Sequence, residues 1–516
     1  MRKNLKKLLI LGVIETIILQ NCITVGAAEK DCLLPTSENI YSEHLNNTPN
    51  VQSGTLPSSV DLSTSQYFPN IDSQGGQGSC AAFSTVYYQY TYEVNRLNKI
   101  NSKSKENCYS PKWTYNALNQ GKDNGISIDK SYDFLKLHGA LKWNEFVYND
   151  KDYTSLPTDV TSMRNALNTR LKNWETFKIS GSGTIITSNT DDDLDDVKRI
   201  LNSGHVLQVS THNNWKVKKN NTGEVVAYRC AQKNGGHSMI IVGYDDNIWI
   251  DVNGNNKKDA GEYGAFKLAN SWGTNGSNTK NGFMWVLYDA LNKNSVISGN
   301  WEKSFSDTRV PAFAYYVEDN YFNEIEVENK QVEYVAEINY NIAKRNQLSI
   351  TIGKSKSSES TMKTSYSATE LSPLAGTNSY TGTTVLDMGN VMTSLAMEFS
   401  NYKWYVKLKD NSKDGNYIRN ANYKITDNLG NVINKGGTFG NLDGTEKTLF
   451  SNISLTIGDV DYSGKIDNTD ANIVLRASLG IQQLSNAQQF LADYNRDGVV
   501  NNLDAKAVLN ASLGIK

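Results

Sequence analysis

The stretch 74-QGGQGSCAAFS-84 puts one cysteine, Cys80, between a glycine-rich loop and an apolar run. In the run "AAFSTVYYQYTYEVNRLN", Phe83, Val86, Tyr87, Tyr90, Val94 and Leu97 recur at three and four. That spacing predicts an amphipathic helix beginning at the cysteine. A thiol attacks only as thiolate, and a helix N-terminus and a neighbouring imidazolium both favour the thiolate. The glycines let the chain turn tightly just before it. Cys80 is therefore a candidate nucleophile, and the rival reading is a buried structural thiol.

The rest of the chain sets the context. Its 516 residues exceed one hydrophobic core, so several domains are expected. Lys plus Arg number 52 against 54 Asp plus Glu, which excludes the basic field of a nucleic-acid binder. The N-terminus has a basic start, an apolar run and small residues at Gly26, Ala27 and Ala28, the pattern of a secretory signal peptide over 1–28. Glu15 inside the run leaves an N-terminal anchor as the rival. Cys22 lacks the preceding small residue of a lipoprotein site. No later segment offers the ~18 uninterrupted apolar residues of a membrane span. Cys32, Cys80, Cys108 and Cys230 are too few for a disulfide framework and leave room for a reactive thiol.

Composition divides the remainder. Residues 29–55 form a short polar leader, and 56–305 mix helical and strand patterns, the latter in "HVLQVS", "SMIIVGY" and "GAFKLANSW". Over 310–454 alternation predicts an all-β, sandwich-like domain. Its aromatics, Trp404 and Tyr405 among them, read as core and sheet residues rather than a binding platform. The last stretch, 457–516, is a repeat: "DANIVLRASLGI" from Asp470 returns as "DAKAVLNASLGI" from Asp504, 34 residues on (504 − 470).

A nucleophilic thiol needs a base and an orienting group. Of five histidines, His44 falls in the leader, His138 at a helix end, His205 before a strand and His212 in a polar loop. His237 in "NGGHSMIIVGYDD" lies between a glycine pair and a buried-looking strand, and "KLANSWG" follows with Asn270 and Trp272. An asparagine can bind one ring nitrogen and present the other.

Taken in order, "QGGQGSCAAFS", "GGHSMIIVGYDD" and "LANSWG" resemble the three active-site segments of the papain-like cysteine peptidases. "LPSSVDL" from Leu56 is similar to the start of their mature domain, and "GISIDKSYDFLKLHGA" (Gly125 to Ala140) to their left-domain helix. The resemblance implies an α+β two-lobed fold. It implies Cys80 as nucleophile, His237 as base and then acid, and Asn270 as orienter under the Trp272 indole. Gln74 and the Cys80 backbone N–H would bind the oxyanion, and Gly125 would support the substrate. Ala81 stands where relatives often have Trp, and Gln77 where they often have a disulfide cysteine. The His-to-Asn gap of 33 residues (270 − 237) signals an insertion. No long helical pro-domain is present. A catalytically silent papain-fold module acting as a protease regulator is the alternative.

In the C-terminal repeat, oxygens fall at loop positions 1, 3, 5, 9 and 12. They are Asp459, Asp461, Ser463, Asp467 and Asp470, then Asp493, Asn495, Asp497, Asn501 and Asp504. Gly464 and Gly498 occupy position 6, and the carbonyls of Lys465 and Val499 position 7. This is EF-hand loop chemistry. Asp at position 12 and one helix after each loop resemble a type I dockerin. That resemblance implies two calcium ions, a cohesin partner on a scaffoldin and an extracellular, cellulosomal location. The pairs Asn468/Thr469 and Asn502/Leu503 at positions 10 and 11 differ, which argues against two-way docking.

Two more expectations remain. "DVNGNNKKDAGE" places Asp251, Asn253, Asn255, Asp259 and Glu262 at the same loop positions, with Asn256 at position 6. It reads as a further calcium loop or as a solvated hairpin. Cys32 lies 24 residues before the mature-like start (56 − 32), a span of up to ~80 Å, so it can reach Cys80. A Cys32–Cys80 disulfide would silence the nucleophile. Alternatively Cys32 stays out of any disulfide or pairs with Cys108 or Cys230.

Overall fold

The computed structural model describes residues 32–34, 36, 40, 43, 54–179, 192–291, 320–327, 332–358, 368–371, 374–389 and 402–515. The expected signal peptide and most of the leader, His44 included, lie outside them, as do the side chains of His212 and Cys230. The chain divides into two compact units.

The first unit is organised on one helix, α1. It starts at Cys80–Ala82, continues as π-helical turns over Phe83–Tyr90 and ends as Thr91–Asn98. Lys99 stops it in a left-handed conformation, φ 57°. The periodic reading predicts one apolar face, yet the helix is buried on all sides as far as Asn95. Ala81, Ala82, Val86, Tyr90 and Val94 join one core cluster, whereas Phe83, Tyr87, Tyr88 and Tyr92 join another. Tyrosines make this tolerable, because their hydroxyls reach acceptors: Tyr87 the Asn70 carbonyl at 2.9 Å, and Tyr92 that of Gly204 at 2.9 Å.

Helices α2 (Lys112–Leu118) and α3 (Ile128–His138) flank α1. Opposite them stands a sheet of β1 (Ser59–Asp61), β2 (Leu171–Ile179), β3 (Leu207–Lys219), β4 (Val225–Trp249), β5 (Tyr263–Ala269), β6 (Phe283–Leu287) and β7 (Asn320–Val327). Its order is β2-β7-β3-β4-β5-β6, with β1 paired to β4. The runs read as strands are β3, β4 and β5.

Two boundaries move. β7 falls inside the span expected to be the β-sandwich, but it pairs antiparallel with β2 and β3. Short alternating runs look alike in either sheet, so pattern alone cannot assign it. Conversely, Pro157–Arg170, inside the expected peptidase span, groups with the second unit. There helix α4 (Val160–Ala166) brings Arg164 to Glu337, while Arg170 pairs with Asp387; all four side chains are buried. Buried charges demand partners, and these arginines find theirs in the β-domain.

That domain has two four-stranded antiparallel sheets. One runs β10 (Ala368–Leu371), β9 (Leu348–Lys356), β12 (Tyr402–Asp410), β15 (Glu446–Ser451). The other runs β11 (Tyr380–Asp387), β8 (Tyr334–Ile342), β13 (Ile418–Asp427), β14 (Val432–Leu442). The Tyr423 hydroxyl of β13 meets Ser451 of β15 at 2.5 Å, a contact between the sheets. Trp404 and Tyr405 are buried, as core residues should be.

The C-terminal residues form three helices after α5 (Asp192–Asn202): α6 (Asn468–Ser478), α7 (Asn486–Ala492) and α8 (Asn502–Ser512). α6 and α8 are the helices of the repeat. α7 lies between the copies, outside the repeat. Its signal was Ser485 three before Gln488, which form a capping box.

Candidate active site

The loop before α1 is held from both sides. Gln74 donates its backbone N–H to the Ser271 carbonyl at 2.7 Å, and the Ser271 hydroxyl returns to Gln74 Oε1 at 2.5 Å. Gln74 Nε2 donates to the Gln77 carbonyl at 2.8 Å. Two carboxylates accept from the loop: Asp150 from Gly76 N–H at 3.0 Å and Asp123 from Gly78 N–H at 2.8 Å. The Gly76 N–H is the main influence holding the Asp150 carboxyl below its ordinary range. Tyr148 joins them, meeting Ser79 Oγ at 2.7 Å and donating to the Gln74 carbonyl at 2.8 Å. Asp123, Tyr148 and Asp150 carry no local motif, and only the folded loop reveals their part.

His237 sits on β4 with no exposed surface. Its Nε2 lies 2.8 Å from Asn270 Oδ1. An amide oxygen only accepts, so the ring donates there. Oδ1 also takes the Ser271 N–H at 2.7 Å, and Tyr88 of α1 donates to the Asn270 carbonyl at 2.9 Å. The Trp272 indole stacks on the imidazole, centroids 4.6 Å apart and planes 29° apart. These contacts fix the ring plane.

Helix and strand meet beside it. Ser84 of α1 contacts Ser238 of β4 at 2.5 Å, and Gln208 of β3 donates to Ser238 at 2.7 Å. Ser238 follows His237, and Ser84 lies one turn beyond Cys80, about 6 Å along the axis. These contacts tie the helix that begins at Cys80 to the strand that carries His237. The other described histidines belong elsewhere: His205 contacts Glu93 and Arg96, and burial pushes His138 down to about 3.

The leader also reaches this place. Leu33 donates its N–H to the Gly236 carbonyl at 2.9 Å, beside His237, and Leu34 donates to the Ile126 carbonyl at 3.1 Å. The Thr36 hydroxyl donates to Asp129 at 2.7 Å. Cys32 is buried, and Cys80 has no exposed surface.

In the C-terminal helical domain the two loops share one pattern. Asp459 accepts from the N–H groups of Ser463 and Gly464, and Asp493 from those of Asp497 and Gly498. Asp470 accepts from Val460, Asp461 and Asp467, and Asp504 from Asn495 and Asn501. Asp467 and Asn501 cap α6 and α8. Oxygens of Asp459, Asp461 and Asp470 lie within 4.8 Å of one another. Burial raises Asp459 and Asp470 above the usual carboxylate range. Crowded, partly desolvated carboxylates fit a divalent cation.

The insertion Asp251–Glu262 repeats that pattern in the first unit. Asp251 accepts from the N–H groups of Asn255 and Asn256, and Glu262 from those of Val252, Asn253 and Asp259. Asn256 has φ 58°, where the dockerin-like loops have Gly464 and Gly498 at φ 85° and 86°.

Two family models match parts of the chain. Residues 56–302 match the papain family cysteine protease model, and residues 457–511 match the dockerin type I domain model. The chain therefore carries a papain-family peptidase domain, a hydrolase, and a type I dockerin domain. Among solved structures it is similar to xylellain, a cysteine protease from Xylella fastidiosa: 18% identity over 59% of this chain and 99% of that one, TM-score 0.38. It is also similar to the ragweed pollen cysteine protease Amb a 11 in its proform, at 16% identity over 47% and 62% of the two chains, TM-score 0.32. Digestive procathepsin L 3 of Tenebrio molitor larval midgut follows at 15%, 53% and 73%, TM-score 0.32. No curated protein matches the chain. No helix among the described residues is long and apolar enough to cross a membrane.

Proposed function

We propose that this protein is a secreted cysteine endopeptidase carried on a cellulosome. His237 takes the proton of Cys80, and the thiolate attacks the scissile carbonyl carbon. The oxyanion is stabilised by Gln74 Nε2 and the Cys80 N–H. Collapse passes the proton from His237 to the leaving amine and leaves an acyl-thioester, which water then hydrolyses. Asn270 holds Nε2, so Nδ1 is the nitrogen that serves the thiol, and Trp272 shields the pair. The observation that carries this reading is the 2.8 Å His237–Asn270 bond on the strand against which the Cys80 helix packs. A mechanism-based epoxide tests it. It should label Cys80 once reduced, and no labelling would return the silent-module alternative.

In the dockerin, Asp459, Asp461, Ser463, Asp467, Asp470 and the Lys465 carbonyl would hold one calcium ion. Asp493, Asn495, Asp497, Asn501, Asp504 and the Val499 carbonyl would hold another. Bound there, calcium would offset the repulsion among these carboxylates, while Asp467 and Asn501 cap the helix starts. Leu479 and Ile481 of one copy, and Leu513 and Ile515 of the other, are exposed. Such apolar side chains suit a protein partner, read here as the cohesin of a scaffoldin. The Asp251–Glu262 loop would bind a third calcium ion through Asp251, Asn253, Asn255, Asp259 and Glu262. The division proposed is signal peptide 1–28, leader 29–55, peptidase 56–305 completed by β7, sandwich 310–454 without β7, and dockerin 457–516.

A further inference from the structure

Two glycines of the first unit are shaped around Cys32. A methyl group on Gly78 would come 2.8 Å from Cys32 Cβ and 3.3 Å from its Sγ. At Gly125, φ +87°, it would overlap the Cys32 carbonyl. Gly78 lies two residues before Cys80. The leader is pinned here by Leu33 on Gly236, the residue before His237, and by Leu34 on Ile126, the residue after Gly125. Leu33 also packs against the cluster of Ala81 and Ile126, which fixes the register of its neighbour. Cys32 is thus held beside the turn that delivers the nucleophile, with both thiols shut away from water.

Cys108 is placed elsewhere. Its thiol donates to the Ser102 carbonyl at 3.2 Å, and burial raises it to about 11, so it competes poorly for exchange.

We propose that Cys32 is a redox latch: it forms a disulfide with Cys80 that keeps the peptidase silent until an external thiol opens it. The proposal rests on Cys80 being the nucleophile. Formation needs a low-molecular-weight disulfide, R–S–S–R. One cysteine thiolate attacks it, breaking the S–S bond and expelling RS⁻. The second thiolate attacks the resulting mixed disulfide and expels another RS⁻. Two protein thiols are oxidised, one R–S–S–R is reduced to two R–SH, and the two protein protons go to the expelled thiolates. Opening reverses these steps with two R–SH. The bond would close a loop of 48 residues (80 − 32), and the seat on Gly78 and Gly125 pre-organises that closure.

The test uses the full chain, purified with thiol and then treated with oxidised glutathione. It reads three signals: a non-reducing peptide map, alkylation of Cys80 by iodoacetamide, and peptide hydrolysis. The expected map links the Cys32 and Cys80 peptides, with alkylation and hydrolysis lost together and both restored by thiol. Cys32→Ser, purified without thiol, should alkylate at Cys80 with no reductant. A map in which Cys80 stays reduced, carries glutathione, or joins Cys108 or Cys230 overturns the latch, and this reading needs no folded variant. A linked Cys32–Cys80 pair whose reduced form hydrolyses nothing would show the bond but overturn the nucleophile assignment, and with it the bond's role as a latch.

Discussion

The candidate active site, here the cleft, and the dockerin loops are built in opposite ways. In the cleft, Ser271 reaches Gln74 across 197 positions and His237 reaches Asn270 across 33. In the first dockerin loop, Asp470 reaches back only 10, 9 and 3 positions. Those contacts exist only when distant segments of the chain have packed, whereas each loop is a local object whose side chains organise its own backbone. Packing should therefore sustain the cleft after a side chain is lost. The loops instead stand or fall with the charge they enclose.

Removing the thiol tests this at its largest. Cys80→Ala should leave the fold intact and cut peptide hydrolysis by about 10⁶-fold, the scale of deleting a nucleophile from a catalytic triad. His237→Ala should match it, and the double variant should add little, since the pair acts as a unit. Circular dichroism and steady-state kinetics together decide it. Hydrolysis surviving in Cys80→Ala would move the chemistry to another site.

Asn270→Ala comes next. The orienter touches neither substrate nor thiol, so its loss should cost on the order of 10²- to 10⁴-fold in kcat, less than the nucleophile. KM should change little, because the effect runs through the ring's orientation. A variant as active as the parent would mean that Trp272 stacking alone fixes His237.

How much of this was legible follows the same divide. The loop pattern of the dockerin could be read directly, because position 1 to position 12 is one stretch of chain whose side chains bond its own backbone. The cleft could be read only as an ordered set of three segments. Asp123, Tyr148 and Asp150, which tie down the Gln74–Gly78 loop, could not be read at all, since a lone Asp or Tyr carries no sign of the N–H it will meet. The helix after Cys80 showed its period but not its burial on all sides. β7 showed its alternation but not its sheet, because pairing partners are a long-range property.

Calcium removal should act on the dockerin more modestly than nucleophile loss acts on the cleft. At a calcium concentration about 1,000 times Kd, binding adds about 4 kcal/mol to folding. Chelation should lower helix content over 468–512 and abolish cohesin binding, with peptide hydrolysis retained. Asp470→Ala should do the same at saturating calcium, because it removes a ligand and also the acceptor of three N–H groups. Cohesin binding that persists in chelator would separate docking from the metal.

The smallest effect concerns the loop that crosses the divide. Asp251–Glu262 is a local, dockerin-type loop placed inside the long-range fold of the peptidase, and it repeats the backbone bonds of the first dockerin loop, adding one from Gly254 to Asp251. Asp251 serves positions 5 and 6, and Glu262 serves positions 2, 3 and 9. Asn253 and Asn255 stand where the first dockerin loop has Asp461 and Ser463, so Asp251, Asp259 and Glu262 supply its acidic side chains. β4 and β5 hold both ends of the loop, so calcium should tighten it rather than fold it. At about 100 times Kd the gain is about 2.7 kcal/mol. For a domain of this size that corresponds to roughly 5 to 11 °C in the peptidase melting transition, at about 2–4 °C per kcal/mol. Metal analysis of the calcium-saturated full chain should find three ions, and Asp251→Ala should hold two. In that variant the peptidase transition should fall to its calcium-free position while cohesin binding stays unchanged. Two ions in the parent chain, or a peptidase transition indifferent to calcium, would make the loop a hairpin that its own hydrogen bonds suffice to hold.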